Sequence, residues 1–187
     1  MKVCQLITGQ KGRALLYLAS IAFFVTSCAP AAQQDAANEL RTNVYHPEWT
    51  HNANIYEVNV RQITPEGTFN AFAEHLPRLK EMGVEILWFM PIHPIGVVNR
   101  KGTLGSYYSI KDFRGINPEF GTMEDFKNLV NKIHELDMKI ILDWVANHTA
   151  WDHHWTVTNP EFYTRDENGN FIAPNPDWSD VKDLDFG

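Results

Sequence analysis

From Trp49 onward, apolar side chains recur with a period of two, then of three to four, then of two again, the rhythm of strands alternating with helices. Ile55-Tyr56-Glu57-Val58-Asn59-Val60 alternates apolar and polar positions and predicts a first strand. Thr68 can cap a helix with apolar positions Phe69, Phe72, Leu76, Leu79 and Met82, and Gly83 stands where such a helix would end. Pro77 is a misfit inside it, since it lacks the N–H that the helical ladder needs, and it predicts a bend. The run from Val84 to Met90 is almost wholly apolar, as a strand buried on both faces requires, and Pro91 ends it. Thr122 caps a second helix, with Asp125 three residues on and a stripe of Phe126, Leu129, Val130, Ile133 and Leu136. A third strand follows over Lys139 to Val145.

Strand, helix, strand, helix, strand with right-handed crossovers gives a parallel sheet covered by helices, open as in doubly wound folds or closed as in a barrel. Its connections are unequal. The helix-to-strand turns are tight, at Met82-Gly83 and Asp137-Met138, whereas roughly thirty residues separate Pro91 from Thr122. Long loops therefore crowd the carboxyl ends of the strands, where either architecture binds its ligands. At that end lies Asp143-Trp144-Val145-Ala146-Asn147-His148. Alternation sends Asp143 and Val145 to one face and Trp144 to the other, with Asn147 and His148 in the loop beyond. The cluster reads either as one wall of a site or as a strand end whose Asp and Asn cap a turn.

Residues 1–27 carry Lys2, Lys11 and Arg13 and no acid, and an apolar run from Ala14 to Val25 is too short to span a bilayer. That is the form of an export signal. Val25-Thr26-Ser27-Cys28 resembles the bacterial lipobox, which implies cleavage before Cys28 and lipidation of it; more than one acyl chain would anchor the protein stably. Cys4 falls in the removed part, so no internal disulfide is expected. Residues 28–48, rich in Ala, Gln and Asn, read as a flexible tether. The expected location is the bacterial cell envelope, at the outer membrane or the periplasmic face. Beyond residue 27 the chain holds 13 basic and 23 acidic side chains, a balance of −10 that disfavours nucleic-acid binding. An acidic surface suits a soluble enzyme acting on neutral molecules, and 44% hydrophobic with 12% aromatic content fits an ordinary globular chain.

Asp143 to His148 resembles the third-strand signature of the α-amylase superfamily, glycoside hydrolase family 13: an Asp, two apolar residues, any residue, then Asn-His. Other segments resemble that family in the same order. They are Ile55-Tyr56-Glu57-Val58 for its first strand, Gly83 to Ile92 for its second, Gly105 to Phe113 for the loop that follows, and Ile116-Asn117-Pro118-Glu119-Phe120-Gly121-Thr122 for the approach to its second helix. Asp183-Leu184-Asp185 resembles the acidic motif near the end of the domain that protrudes after the third strand. The resemblance implies the N-terminal portion of a (β/α)8 barrel. Residues 49–150 would be its first three β/α units and 151–187 the protruding domain region.

It also implies hydrolysis of α-glucans such as starch or maltodextrin with retention, by an Asp nucleophile and a Glu acid/base whose carboxyls stand about 5–5.5 Å apart. In the family these groups follow the fourth and fifth strands, and a barrel takes about 250 residues where some 160 follow the signal here. The expectation is a part of the enzyme that lacks the catalytic carboxylates and is inactive alone. By the same resemblance Tyr108 stacks on the sugar at the cleavage point, His148 hydrogen-bonds its hydroxyls, and Asp143 orients an arginine on a later strand. Asn147 and Asp183 match calcium ligands, two of the six to eight oxygens that this ion takes. Asp177, Asp180, Asp183 and Asp185 are expected to be solvated or to cap turns rather than to catalyse. Asp152-His153-His154 is expected to be a polar loop, since zinc sites draw spaced ligands and no cysteine pair supports one. The Asn147-His148-Thr149 sequon is set aside because the lipobox points to a bacterium, and one or two of Trp144, Trp151, Trp155 and Trp178 are expected to face ligand. The alternative function class is a carbohydrate-binding or structural surface lipoprotein without catalysis.

Overall fold

The computed structural model describes residues 45–187; the export signal, Cys28 and residues 28–44 of the tether lie outside the described residues. Three strands, β1 (Ile55–Val58), β2 (Ile86–Phe89) and β3 (Lys139–Leu142), form a parallel sheet in sequential order. Val58 lies beside Phe89, and Phe89 beside Leu142. The first strand is shorter than the alternation predicts, because Val60 opens a helical turn, α1 (Val60–Ile63), and buries its side chain.

The first crossover is two helices, α2 (Phe69–Ala73) and α3 (Leu76–Glu81), not one bent helix. Pro77 stands in the first turn of α3, where its missing N–H has no helical acceptor to lose, so the break falls before it and the misfit disappears. Thr68 caps α2 through the Ala71 N–H at 3.2 Å. The second crossover is α4 (Met123–Glu135), whose start is a reciprocal capping box between Thr122 and Asp125. α3 and α4 end in the same double hydrogen bond. Gly83 N–H donates to Lys80 O and Val84 N–H to Leu79 O; Asp137 N–H donates to His134 O and Met138 N–H to Ile133 O. Both motifs need a residue at positive φ, which Gly83 supplies at 85° without strain and Asp137 at 51° with some.

The core lies between the sheet and these helices. Val58, Leu87 and Phe89 face Phe69, Phe72, Leu76, Leu79, Leu129 and Ile133, all buried. Phe72 meets Phe89 edge to face at 5.4 Å and Phe69 meets Phe120 at 5.9 Å. The opposite face of the sheet departs from expectation. Trp88 is 37% exposed and Ile141 44%, although Ile86, on the same face of β2, is buried. β2 is thus buried fully on one face only.

The long connection after β2 folds over the strand ends as an ordered loop. Lys111 N–H donates to Pro94 O, Gly96 N–H to Ser109 O and Asn117 N–H to Ile92 O. Arg61 holds it from below, pairing with Glu119 at 2.9 Å, donating to Gly105 O and lying over the Tyr107 ring at 4.4 Å. Beyond β3, the strands β4 (His148–Ala150) and β5 (Val181–Asp183) form an antiparallel pair, with a helical turn, α5 (Trp155–Thr158), between them. Gly96 lets the loop approach β4 closely, since a Cβ there would run into Ala150 and the Asp152 carboxylate.

Candidate functional site

Each piece of the site is delivered by a different element. β3 stops at Leu142, short of the predicted Val145, but Asp143 N–H continues the ladder onto Phe89 O at 2.9 Å and so holds the Asp143 side chain at the strand end. Trp144 turns outward, 69% exposed, while Val145 is buried, the opposition that strand alternation predicts. His148 is not in a loop. It opens β4, where it pairs with Asp183 of β5 and is buried.

Tyr108, on the long loop, closes the network. Its hydroxyl donates to Asp143 Oδ2 at 3.0 Å, and its carbonyl accepts from His148 Nε2 at 3.0 Å. Asn147 Nδ2 lies 2.9 Å from His148 Nδ1. An amide nitrogen only donates, so Nδ1 accepts and the proton of the neutral ring sits on Nε2, facing the Tyr108 carbonyl. Burial lowers the His148 pKa against smaller opposing effects of that carbonyl, Asp180 and Asp183, which keeps the ring neutral at neutral pH. The Tyr108 phenol is pushed up to about 12, first by burial, then by its hydrogen bond to Asp143 and the charge of that carboxylate. Tyr108, Asp143 and His148 thus form one connected unit at the carboxyl ends of the strands.

A cavity of about 410 Å³ opens beside it, lined by Tyr108, His148, Lys101, Ser106, Trp178, Asp180 and Val181. Lys101 and Ser106 escaped sequence reasoning, because a lysine and a serine in a Gly-rich loop give no signal until the loop folds back. Asp180 is not solvated as expected. It is buried and paired with Lys101 at 3.4 Å, and the same ammonium donates to Asp177 O. Asp185 does cap a turn, its Oδ1 accepting from Gly187 N–H, and Asp177 is exposed, its backbone N–H donating to the capping Asn175 Oδ1. Asp183 sits outside the cavity lining, accepting from Thr164 Oγ1 at 2.7 Å, while Asn147 O accepts from Leu184 N–H. The β4–β5 ladder thus sets His148, not Asn147, opposite Asp183, and Asn147 opposite Leu184.

Asp152-His153-His154 lies in a turn before α5 with His154 exposed, but its middle residue departs from a polar loop. His153 is buried against Phe113, Trp155 and His154, and burial and the neighbouring His154 push its pKa down to about 4. Asp152 pairs with Lys111 at 3.1 Å. Trp155 belongs to this cluster, and Trp151 covers the Lys182 ammonium at 4.7 Å. Of the four tryptophans only Trp178 lines the cavity.

The alpha amylase catalytic-domain family matches residues 32–180. The chain belongs to the alpha-amylase family. "Alpha-amylase 3" of Dictyoglomus thermophilum is 34% identical across 76% of this chain and 32% of its own length. An alpha-1,4-glucan:maltose-1-phosphate maltosyltransferase of Picrophilus torridus is also 34% identical, across 75% of this chain and 24% of its own. Among solved structures, an alpha-amylase from Lactobacillus plantarum superposes with a TM-score of 0.71 at 52% identity, covering 73% of this chain and 32% of that one. A maltogenic alpha-amylase from Thermotoga neapolitana gives 0.67 at 44%, covering 72% and 32%. The chain spans about a third of the length of the amylases that it matches. β1 to β3 with the two helical crossovers between them form a portion of the alpha-amylase (β/α)8 barrel.

Proposed function

We propose that this chain forms the sugar-gripping wall of a retaining glycosidase acting on α-glucans, without the carboxylate pair that breaks the bond. The observation that carries the reading is the Tyr108–Asp143–His148 network on the wall of a cavity at the strand ends. Tyr108 offers a half-buried ring for the apolar face of a glucosyl unit, Asp143 a carboxylate whose second oxygen remains to hold an arginine, and His148 a neutral imidazole beside the sugar hydroxyls. Both nitrogens of His148 already have partners, so a sugar hydroxyl would be received by displacing the Asn147 amide from Nδ1.

What the acids at the cavity do supports the absence of a catalytic pair from this reading. Retention takes two carboxyls about 5–5.5 Å apart, one as nucleophile and one as proton donor. Asp143 is held by Tyr108 and Asp180 by Lys101, each in a fixed partnership. The relatives are named for hydrolysis and transfer, which weighs against a purely structural role. By the family resemblance Asn147 and Asp183 would supply two oxygens to a calcium ion; that is far from the six to eight it takes, and the rest would come from backbone, water or other residues. Lipidation at Cys28 fits a family match that begins only at residue 32. Palmitate labelling of the expressed chain, lost in Cys28→Ser, is the outcome that this requires.

The function is tested by titrating the full chain with maltotetraose in a calorimeter and assaying reducing-sugar release from starch. Saccharide binding that Tyr108→Ala removes, with no sugar release, supports the reading. Release by this chain alone, or wild-type chain that ignores maltotetraose, overturns it.

A further inference from the structure

Trp178 is the one ring of the cavity wall to which the site described so far gives no role. It is 46% exposed, and its ring meets His148 edge to face at 5.8 Å. His148 therefore touches Tyr108 through its Nε2 proton and Trp178 through its ring, linking two aromatic groups along one cavity. A cavity of about 410 Å³ falls in the range of small-ligand sites. A half-exposed indole on its wall offers a flat apolar surface of the kind a pyranose ring covers.

The segment that carries Trp178 is clamped on both sides of it. Lys101 donates to the carbonyl of Asp177 and pairs with the carboxylate of Asp180, while Ser109 Oγ donates to Asp180 O at 2.9 Å. Arg100, the neighbour of Lys101, is itself fixed by bonds to Ile95 O and Gly96 O at 3.0 and 2.7 Å. The clamp also settles the charge of the site. Lys101 is the one cation in the lining among the described residues, and Asp180 neutralises it. Drawing the ammonium onto a phosphorylated sugar would strand a buried carboxylate, which favours an uncharged ligand.

We propose that Trp178 is a second sugar platform, taking the glucosyl unit next to the one at Tyr108 in a neutral maltooligosaccharide, and that the Lys101–Asp180 pair positions it. The proposal rests on the sugar-binding reading above and adds to it a residue, a ligand length and a ligand charge.

The test is calorimetric binding of glucose, maltose, maltotetraose and maltose 1-phosphate to the full chain and to Trp178→Ala, Trp178→Phe, Lys101→Met and Tyr108→Ala, with far-ultraviolet circular dichroism to confirm the fold of each. Because Trp178 is half exposed, its truncation leaves no core cavity. Trp178→Ala is expected to weaken maltotetraose and maltose about tenfold and glucose less than about twofold. Trp178→Phe should retain most of the affinity, and Lys101→Met should lose part of it with the fold intact. Maltose 1-phosphate should bind no tighter than maltose. If Tyr108→Ala abolishes binding while Trp178→Ala leaves maltotetraose unchanged, the platform is wrong and the sugar site stands. If the wild type binds no saccharide, both fall; if it prefers the phosphate, the neutral ligand class is overturned.

Discussion

Around β1–β3 the buried side chains are aliphatic and aromatic, Val58, Leu87, Phe89, Phe72, Leu79 and Ile133, whereas around β4–β5 they include His148, Thr149, His153, Asp180 and Lys182. The first region is held by shape and volume. The second is held by partners: Thr149 and Tyr163 share a hydroxyl bond at 2.8 Å, Asp180 meets Lys101, and the Lys182 ammonium lies 4.0 Å from the Phe171 ring and 4.7 Å from Trp151. A buried polar group without a partner is far more costly than a buried methyl group in a slightly loose core, so the site half tolerates fewer changes of chemistry and the sheet half fewer changes of size.

The largest effect should come from the sheet half. Phe89→Ala empties the centre of the ring cluster and should lower stability by about 3–5 kcal/mol in chemical denaturation, enough to lose cooperative folding in a marginal domain. The site half should answer instead to pH. With the folded pKa of His153 near 4 and the unfolded value near 6.5, only the unfolded chain takes up a proton between these values. Stability should therefore fall by roughly 3 kcal/mol as pH drops from 6.5 to 4, and His153→Phe should flatten this part of the curve. An unchanged curve would mean that the ring is hydrated.

A smaller, spectroscopic effect belongs to Tyr108. One tyrosine should ionise near pH 12 in ultraviolet titration, and Asp143→Asn should lower that value only in part, since burial, the larger cause, remains. Its neutral form is the one the fold favours, so the associated stability is present below pH 10 and is lost as pH rises through 12. Smallest is Asp137→Gly. It places at φ 51° the residue type that Gly83 already provides at the matching turn, and should raise the melting temperature by a few degrees despite losing the exposed contact to Lys139. No rise would show that the aspartate is unstrained there.

The sheet half was legible in the sequence because periodicity reports burial. Leu129 and Ile133 could be assigned to a buried stripe, Thr122 with Asp125 to a cap, and Gly83 to a helix end, all from neighbours within one turn. Pro77 misled only about continuity, since a proline in mid-helix and one in a first turn look alike until the break before it is seen. The site half was legible through a resemblance and not through hydropathy. Asp143, Tyr108 and His148 come together as that resemblance implies, yet His148 lies in a strand, Asp180 is buried against Lys101, and His153 is enclosed by rings. Each of these depends on a partner far away in the chain, and no local pattern encodes it.

That distance along the chain also sets an order of events. The bonds that make the cavity, Ser109 to Asp180 O and Lys101 to Asp177 O, each close a loop of more than seventy residues, whereas the capping box and the turns after α3 and α4 form within six residues. Loop-closure entropy makes the long closures profitable only after the sheet has gathered the ends. The cavity wall is then the last part to assemble and the first to open, so that Lys101→Met should quicken unfolding while leaving the folding rate almost as it was.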